Sequence, residues 1–131
     1  MGADLYIEKM PRDAQYLGFE VSEKAVDLGY FRDCYNSSGL LAVMSATLDE
    51  AFSWWGTADR KDLFNNEGEM TVEGAKKWLA ELEPHITKFV NSSELPNIEK
   101  EDIQYYHDWS NLLVKFLKLA IEQDSNIIWS V

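Results

Sequence analysis

The chain has 131 residues, 46% of them hydrophobic, and a net charge of −11 at pH 7. This apolar content argues against a disordered chain, and the length predicts one globular domain spanning residues 1–131. Because phosphate binding needs clustered Lys and Arg, the acidic excess argues against direct binding to nucleic acid or an anionic membrane.

The compartment is predicted from cysteine usage and from the absence of a targeting pattern. Cys34 is the one cysteine, so no intrachain disulfide is possible. The N-terminus lacks a basic segment followed by an apolar one, and the apolar run Gly39–Leu48 is too short to cross a bilayer. We therefore expect a cytoplasmic protein without a membrane segment.

The two ends of the chain predict short β-strands. Asp4–Glu8 alternates weakly and is rich in strand formers, and Asn126–Val131 has the same character. Neither strand has a hairpin partner nearby in the sequence. We therefore expect the terminal strands to pair with each other.

Capping residues predict helices in the first half of the chain. Ser22 caps a short helix that ends before Gly29. Ser38 begins a second helix with a buried apolar run. Thr47–Glu50 reads as a capping box, and it predicts a third helix that stops at Gly56.

The second half is predicted to be mainly helical. Asn65–Glu69 has the composition of a turn. Thr71 caps the next helix, which should kink or restart at Pro84 because proline lacks an amide hydrogen. The clearest helix contains Trp109–Ala120, in which apolar residues recur every three or four positions. We expect near-complete burial of four of its residues: Leu112, Leu113, Phe116 and Leu117. The predicted fold is α+β, mainly helical, with this last helix at its centre.

A mixture of polar and aromatic residues marks the candidate binding site. The predicted site residues are Arg32, Asp33, Tyr35, Asn36, Trp54 and Trp55. In one interpretation, they line a pocket in which Arg32 clamps an anion or a carbonyl group. In the other, Arg32 forms an internal salt bridge and the rings fill the core.

Catalytic and metal chemistry have weaker support in the sequence. Cys34 could be a nucleophile with His85 or His107 as its base, but no small-residue elbow precedes it and no glycine-rich segment follows it. Two histidines are too few for a zinc site. Around Gly68, the terminal acidic ligands of a calcium loop are missing. We expect no cofactor and no metal.

Three segments resemble a group of small uncharacterised bacterial and phage proteins. These segments are Met1–Tyr6, Tyr30–Asn36 and Ser53–Trp55, all in the first half of the chain. The resemblance implies no activity, substrate or catalytic residue. It does imply that the Tyr30–Asn36 stretch and the two tryptophans belong together.

The function predicted from the sequence is that of a non-catalytic binding protein. It would hold a small ligand or a partner segment in a polar-aromatic pocket around Arg32 and Trp54. One alternative is an acidic inhibitor, of the kind that phages encode, which binds a basic nucleic-acid-binding or defence protein. A second alternative is a small hydrolase that uses Cys34.

Overall fold

The computed structural model describes residues 2–10 and 22–130. In this part of the chain, five α-helices accompany a four-stranded antiparallel sheet, which confirms the mainly helical α+β prediction. The strands are β1 (Gly2–Ile7), β2 (Tyr30–Cys34), β3 (Glu69–Met70) and β4 (Ile127–Ser130). The helices are α1 (Glu23–Asp27), α2 (Leu40–Leu48), α3 (Trp54–Ala58), α4 (Val72–Val90) and α5 (Ile103–Glu122).

The predicted pairing of the terminal strands is confirmed. The strand order is β2-β1-β4-β3, so β1 has β4 on one side and β2 on the other. Asp4 lies opposite Ser130, and Ile7 lies opposite Ile127. Every second residue of β1 faces the core, and each of these is at most 1% exposed: Ala3, Leu5 and Ile7. The chain ends thereby form the middle of the sheet.

The first predicted helix is also confirmed. Ser22 Oγ accepts a hydrogen bond from the amide of Ala25 at 3.1 Å, which caps α1. Gly29 then adopts a left-handed conformation with φ of 88°, as expected of a residue that closes a helix. The turn leads directly into β2.

The capping-box prediction is wrong. Thr47 lies inside α2, and its hydroxyl donates to the carbonyl of Val43 at 2.7 Å. The helix ends at Asp49, which has a left-handed backbone with φ of 54°. The next helix starts later, where Ser53 Oγ accepts from the amide of Gly56 at 2.9 Å. Gly56 is therefore inside α3 and does not terminate it.

The turn at 65–69 and the start of α4 are confirmed. The amide of Asn65 donates to the carbonyl of Glu69 at 2.9 Å. Thr71 Oγ1 accepts from the amide of Gly74 at 2.9 Å, which caps α4.

The helix does not restart at Pro84, because α4 continues to Val90 with the proline inside it. Leu82 on one side of the proline and Ile86 on the other are both at most 4% exposed. Burial of the same apolar face on both sides offsets the loss of one backbone hydrogen bond.

The last helix, α5, is confirmed as a central packing element. Leu113, Phe116 and Leu117 are each fully buried. Leu112 is only partly buried, so the expectation for that residue is wrong. Consecutive helical residues point about 100° apart, and Leu112 faces a surface groove beside α1.

Candidate functional site

Arg32 is held by a carboxylate of the neighbouring strand. The register of β1 and β2 places Asp4 opposite Arg32, and Arg32 Nη1 donates to Asp4 Oδ1 at 2.8 Å. The hydroxyl of Tyr30 donates to the same oxygen. Burial, reinforced by this bond to Asp4, raises the pKa of Tyr30 to about 12. An anion could bind the Arg32 guanidinium at this position only in competition with Asp4, so this geometry favours the salt-bridge interpretation of Arg32.

Asp33 lies on the opposite face of β2 and is 1% exposed. Its Oδ1 accepts from the amides of Cys34 at 2.7 Å and Leu40 at 2.8 Å. Its Oδ2 accepts from the amide of Leu41 at 3.1 Å and from Trp54 Nε1 at 2.7 Å. Since Leu40 and Leu41 are the first residues of α2, the carboxylate caps that helix. Burial raises the pKa of Asp33, and the four donated hydrogen bonds oppose the rise.

The two adjacent tryptophans have opposite environments. Trp54 is 4% exposed, and its ring packs against those of Trp78 and Trp129 with centroid distances of 5.9 and 5.4 Å. Trp55 is 60% exposed, and its ring lies 4.7 Å from that of Tyr35. The two rings are tilted by 35°, and we refer to these two residues, Tyr35 and Trp55, as the Tyr35–Trp55 surface.

Asn36 organises the loop that connects β2 to α2. Its Oδ1 accepts from the amide of Ser38 at 3.0 Å and from the thiol of Cys34 at 3.3 Å. Neither histidine forms a hydrogen bond with the thiol among the described residues. His85 packs edge-on against Phe52, and His107 against Phe89. The pairing of nucleophile and base that a cysteine hydrolase needs is therefore not formed here.

Exposed carboxylates accompany Trp55 along the chain. Asp49 and Glu50 precede α3, and Asp59 follows Trp55 by four residues, about one helical turn. All three are exposed, and none forms an ion pair with any residue that the structure describes. The chain around Trp55 therefore carries three exposed carboxylates that no ion pair among the described residues neutralises.

The predicted site residues thus divide between the interior and the surface. Trp54 is a core residue bonded to Asp33, so it does not line an open pocket with Arg32, contrary to the expectation. Tyr35 and Trp55 are brought together, with ring centroids 4.7 Å apart. The division depends on which of the two consecutive tryptophans faces the core. The sequence does not indicate which one is buried.

A groove between α1 and α5 was missed by the sequence reasoning. It has a volume of about 560 Å³, and its lining includes Tyr105, Trp109 and Leu112. Aromatic residues at positions 105, 106 and 109 are the signal in the sequence, but the apolar period of the helix places Trp109 on the core face alone. Its indole Nε1 donates to the carbonyl of Arg32 at 3.1 Å, and it is 7% exposed. The groove therefore borders the edge strand β2.

The chain matches no protein-family model, no curated protein and no solved structure. Among the described helices, none is long and apolar enough to span a membrane.

Proposed function

We propose that this chain is a non-catalytic cytoplasmic protein that binds a basic segment of a partner protein on the Tyr35–Trp55 surface. The observation that carries the proposal is the 60% exposure of Trp55 beside the buried Trp54. Tryptophan is enriched among the residues that dominate binding energy at interfaces. Here the exposed ring contacts Tyr35. It also lies on a helix that is anchored in the core by Trp54, the residue before Trp55.

The rigidity of this surface favours binding. Ser53 caps α3, and Trp54 fixes the same helix by its hydrogen bond to Asp33 at 2.7 Å. A side chain that is already ordered loses less conformational entropy when a partner binds. The surface offers two rings in contact, one of them 60% exposed, while Trp54 is buried, so it suits a partner segment better than a small ligand.

The charge pattern selects the chemistry of the partner. An arginine or lysine placed over an indole ring gains a cation–π interaction, which is stronger when the contact is desolvated. Asp59 and the pair Asp49–Glu50 supply carboxylates near the same helix. The net charge of −11 further favours encounter with a basic protein.

An acidic inhibitor is the second candidate, and it is favoured by the exposed carboxylates next to α3, which form no ion pair with any described residue. In this version, the basic segment belongs to a nucleic-acid-binding protein and the chain competes with phosphate for it. The two versions share one surface. They differ in whether binding blocks the partner's own contact with nucleic acid.

The test is affinity capture from a cytoplasmic extract, followed by titration of the purified partner at low and high salt. We expect Trp55→Ala to weaken binding about thirtyfold, corresponding to a hot-spot loss of about 2 kcal/mol. Affinity should also fall as salt rises, because exposed charge pairs are screened beyond about 8 Å at physiological ionic strength. A competition assay with nucleic acid then distinguishes the two versions.

Two controls make the result interpretable. Trp55→Ala should change the free energy of unfolding by no more than about 0.5 kcal/mol, as a surface substitution usually does. Cys34→Ser, which keeps a small donor to Asn36 and removes the thiol, should leave partner binding unchanged. Binding that is independent of salt and unaffected by Trp55→Ala would contradict the proposal.

A further inference from the structure

A second cavity lies between the end of α3, the turn at 65–69 and β4. Its volume of about 470 Å³ is within the range of small-molecule sites, roughly 300–1,000 Å³. None of the described residues that line it is acidic, whereas the lining of the groove between α1 and α5 includes Glu23 and Asp108. The lining of this cavity includes two cations, two amides and two aromatic rings: Arg60, Lys61, Asn65, Asn66, Phe64 and Trp129.

The two cations differ in how far their charge is already compensated. Arg60 Nη2 lies 2.8 Å from Asp62 Oδ2 and 3.0 Å from Glu81 Oε1, so two carboxylates surround this guanidinium. Asp62 also binds Lys77. Lys61 forms no ion pair with any residue that the structure describes. An anion in the cavity would therefore find an uncompensated charge at Lys61.

The two aromatic rings of the cavity form a corner. The centroids of Phe64 and Trp129 lie 4.9 Å apart, and the ring planes meet at 88°. Trp129 is held in turn by Trp54 and Trp78, whose ring centroids lie 5.4 and 5.6 Å away. A planar ring in this corner can lie offset against one wall and meet the other edge-on, and aromatic pairs prefer both arrangements.

Trp129 also carries a polar group that is not satisfied by the described part of the chain. Its indole Nε1 is buried and has no hydrogen-bond acceptor among these residues. Buried donors without an acceptor are rare in native proteins. The ring that carries this donor lines the cavity, so an acceptor on a ligand is one way to satisfy it.

We propose that this cavity binds a small organic anion that carries an aromatic ring, with the anion at Lys61 and the ring against Phe64 and Trp129. An ammonium group offers three donors to a carboxylate or a phosphate. The turn that forms one wall is fixed, because Asn65 Oδ1 accepts from the amides of Glu67 and Glu69, each at 3.0 Å. A preformed wall lowers the entropy cost of binding. The site shares no residue with the Tyr35–Trp55 surface.

The test is an NMR titration of the full chain that follows the indole N–H of Trp129, assigned with Trp129→Phe. The probes are phenylacetate, its neutral isostere phenylacetamide, acetate and AMP. We expect phenylacetate to shift this resonance saturably with a Kd of about 1 mM or tighter. Phenylacetamide, which lacks the charge, and acetate, which lacks the ring, should each bind about tenfold more weakly. Binding of AMP but not of phenylacetate would support the site and identify phosphate as the anion.

Matched variants separate recognition from folding and from net charge. Lys61→Gln should weaken phenylacetate about tenfold and leave phenylacetamide unaffected, whereas Lys61→Arg should keep the preference for the anion. Lys100→Gln removes an exposed charge outside the cavity and should change nothing. Trp55→Ala should also leave this binding unchanged, so this proposal and the proposed function can fail separately.

Three results would overturn the proposal. The first is the absence of a saturable shift with any probe. The second is an affinity for phenylacetate no higher than that for phenylacetamide or acetate, unless AMP binds in its place. The third is wild-type anion binding by Lys61→Gln.

Discussion

Replacing Asp33 by asparagine tests whether a single buried carboxylate organises the centre of this fold. The two carboxylate oxygens accept two hydrogen bonds each, from Cys34 and Leu40 on one side and from Leu41 and Trp54 on the other. An asparagine side chain has nearly the same shape but only one acceptor oxygen. In either orientation of the amide, two bonds are kept and two donors face an N–H₂ group.

The expected cost follows from these two lost bonds. Leaving a buried donor without its acceptor costs about 1–3 kcal/mol, and Asp33 is 1% exposed, so water cannot replace the lost acceptor. Two such donors give about 2–6 kcal/mol. Part of this cost is offset because asparagine carries no charge, and burial opposes the charge on Asp33, as the raised pKa indicates. We therefore expect a net destabilisation of about 2–4 kcal/mol for Asp33→Asn.

The assay is urea denaturation monitored in parallel by far-ultraviolet circular dichroism and by tryptophan fluorescence. Trp54→Phe is the matched control, since it removes one of the four donors together with its hydrogen bond and keeps an aromatic ring in the core. It should therefore cost less than Asp33→Asn. If Asp33→Asn changed the free energy of unfolding by less than about 0.5 kcal/mol, the scale of an ordinary surface substitution, the structural role assigned to this carboxylate would be refuted.

Two further predictions concern the core and the pH dependence of stability. Leu113→Ala should cost about 2–5 kcal/mol in urea denaturation, because Leu113 is fully buried on the central helix; a loss below about 0.5 kcal/mol would contradict that placement. For Tyr30, the folded state keeps its proton up to a pKa of about 12, whereas the unfolded chain releases it near 10. The associated stability is present below pH 10 and is lost as the pH rises from about 10 to 12. Between pH 10 and 12, the free energy of unfolding should therefore fall less for Tyr30→Phe than for the wild type. An equal fall in both proteins would contradict the raised pKa of Tyr30.

The elements predicted correctly are those whose signals are local. Ser22 and Thr71 cap helices through hydroxyl groups that bond amides three residues later, which is a pattern visible within a few positions. The apolar period of α5 is equally local. The pairing of the terminal strands is long-range, and the sequence predicts it because neither strand has a hairpin partner nearby. The sequence does not predict that each terminal strand also pairs with an internal strand, β1 with β2 and β4 with β3.

The wrong predictions have two causes. Some side chains can form either of two local hydrogen bonds, and some contacts join residues that only the tertiary fold brings together. A threonine hydroxyl can cap a following helix or bond the carbonyl four residues back, and Thr47 does the latter. The start of α2 depends on Asp33, which lies seven residues before Leu40 and reaches it only because β2 folds against the helix. No pattern of adjacent residues encodes that contact.

The same carboxylate connects the core to the proposed binding surface. Trp54 and Trp55 are consecutive in α3, so their side chains point about 100° apart, and burying one leaves the other facing outward. The hydrogen bond from Trp54 to Asp33 selects which indole is buried. Asp33 therefore determines the exposure of Trp55 without being able to contact a partner. Weakened partner binding by Asp33→Asn would consequently reflect a displaced helix, whereas the same loss in Trp55→Ala at unchanged stability reflects a lost contact.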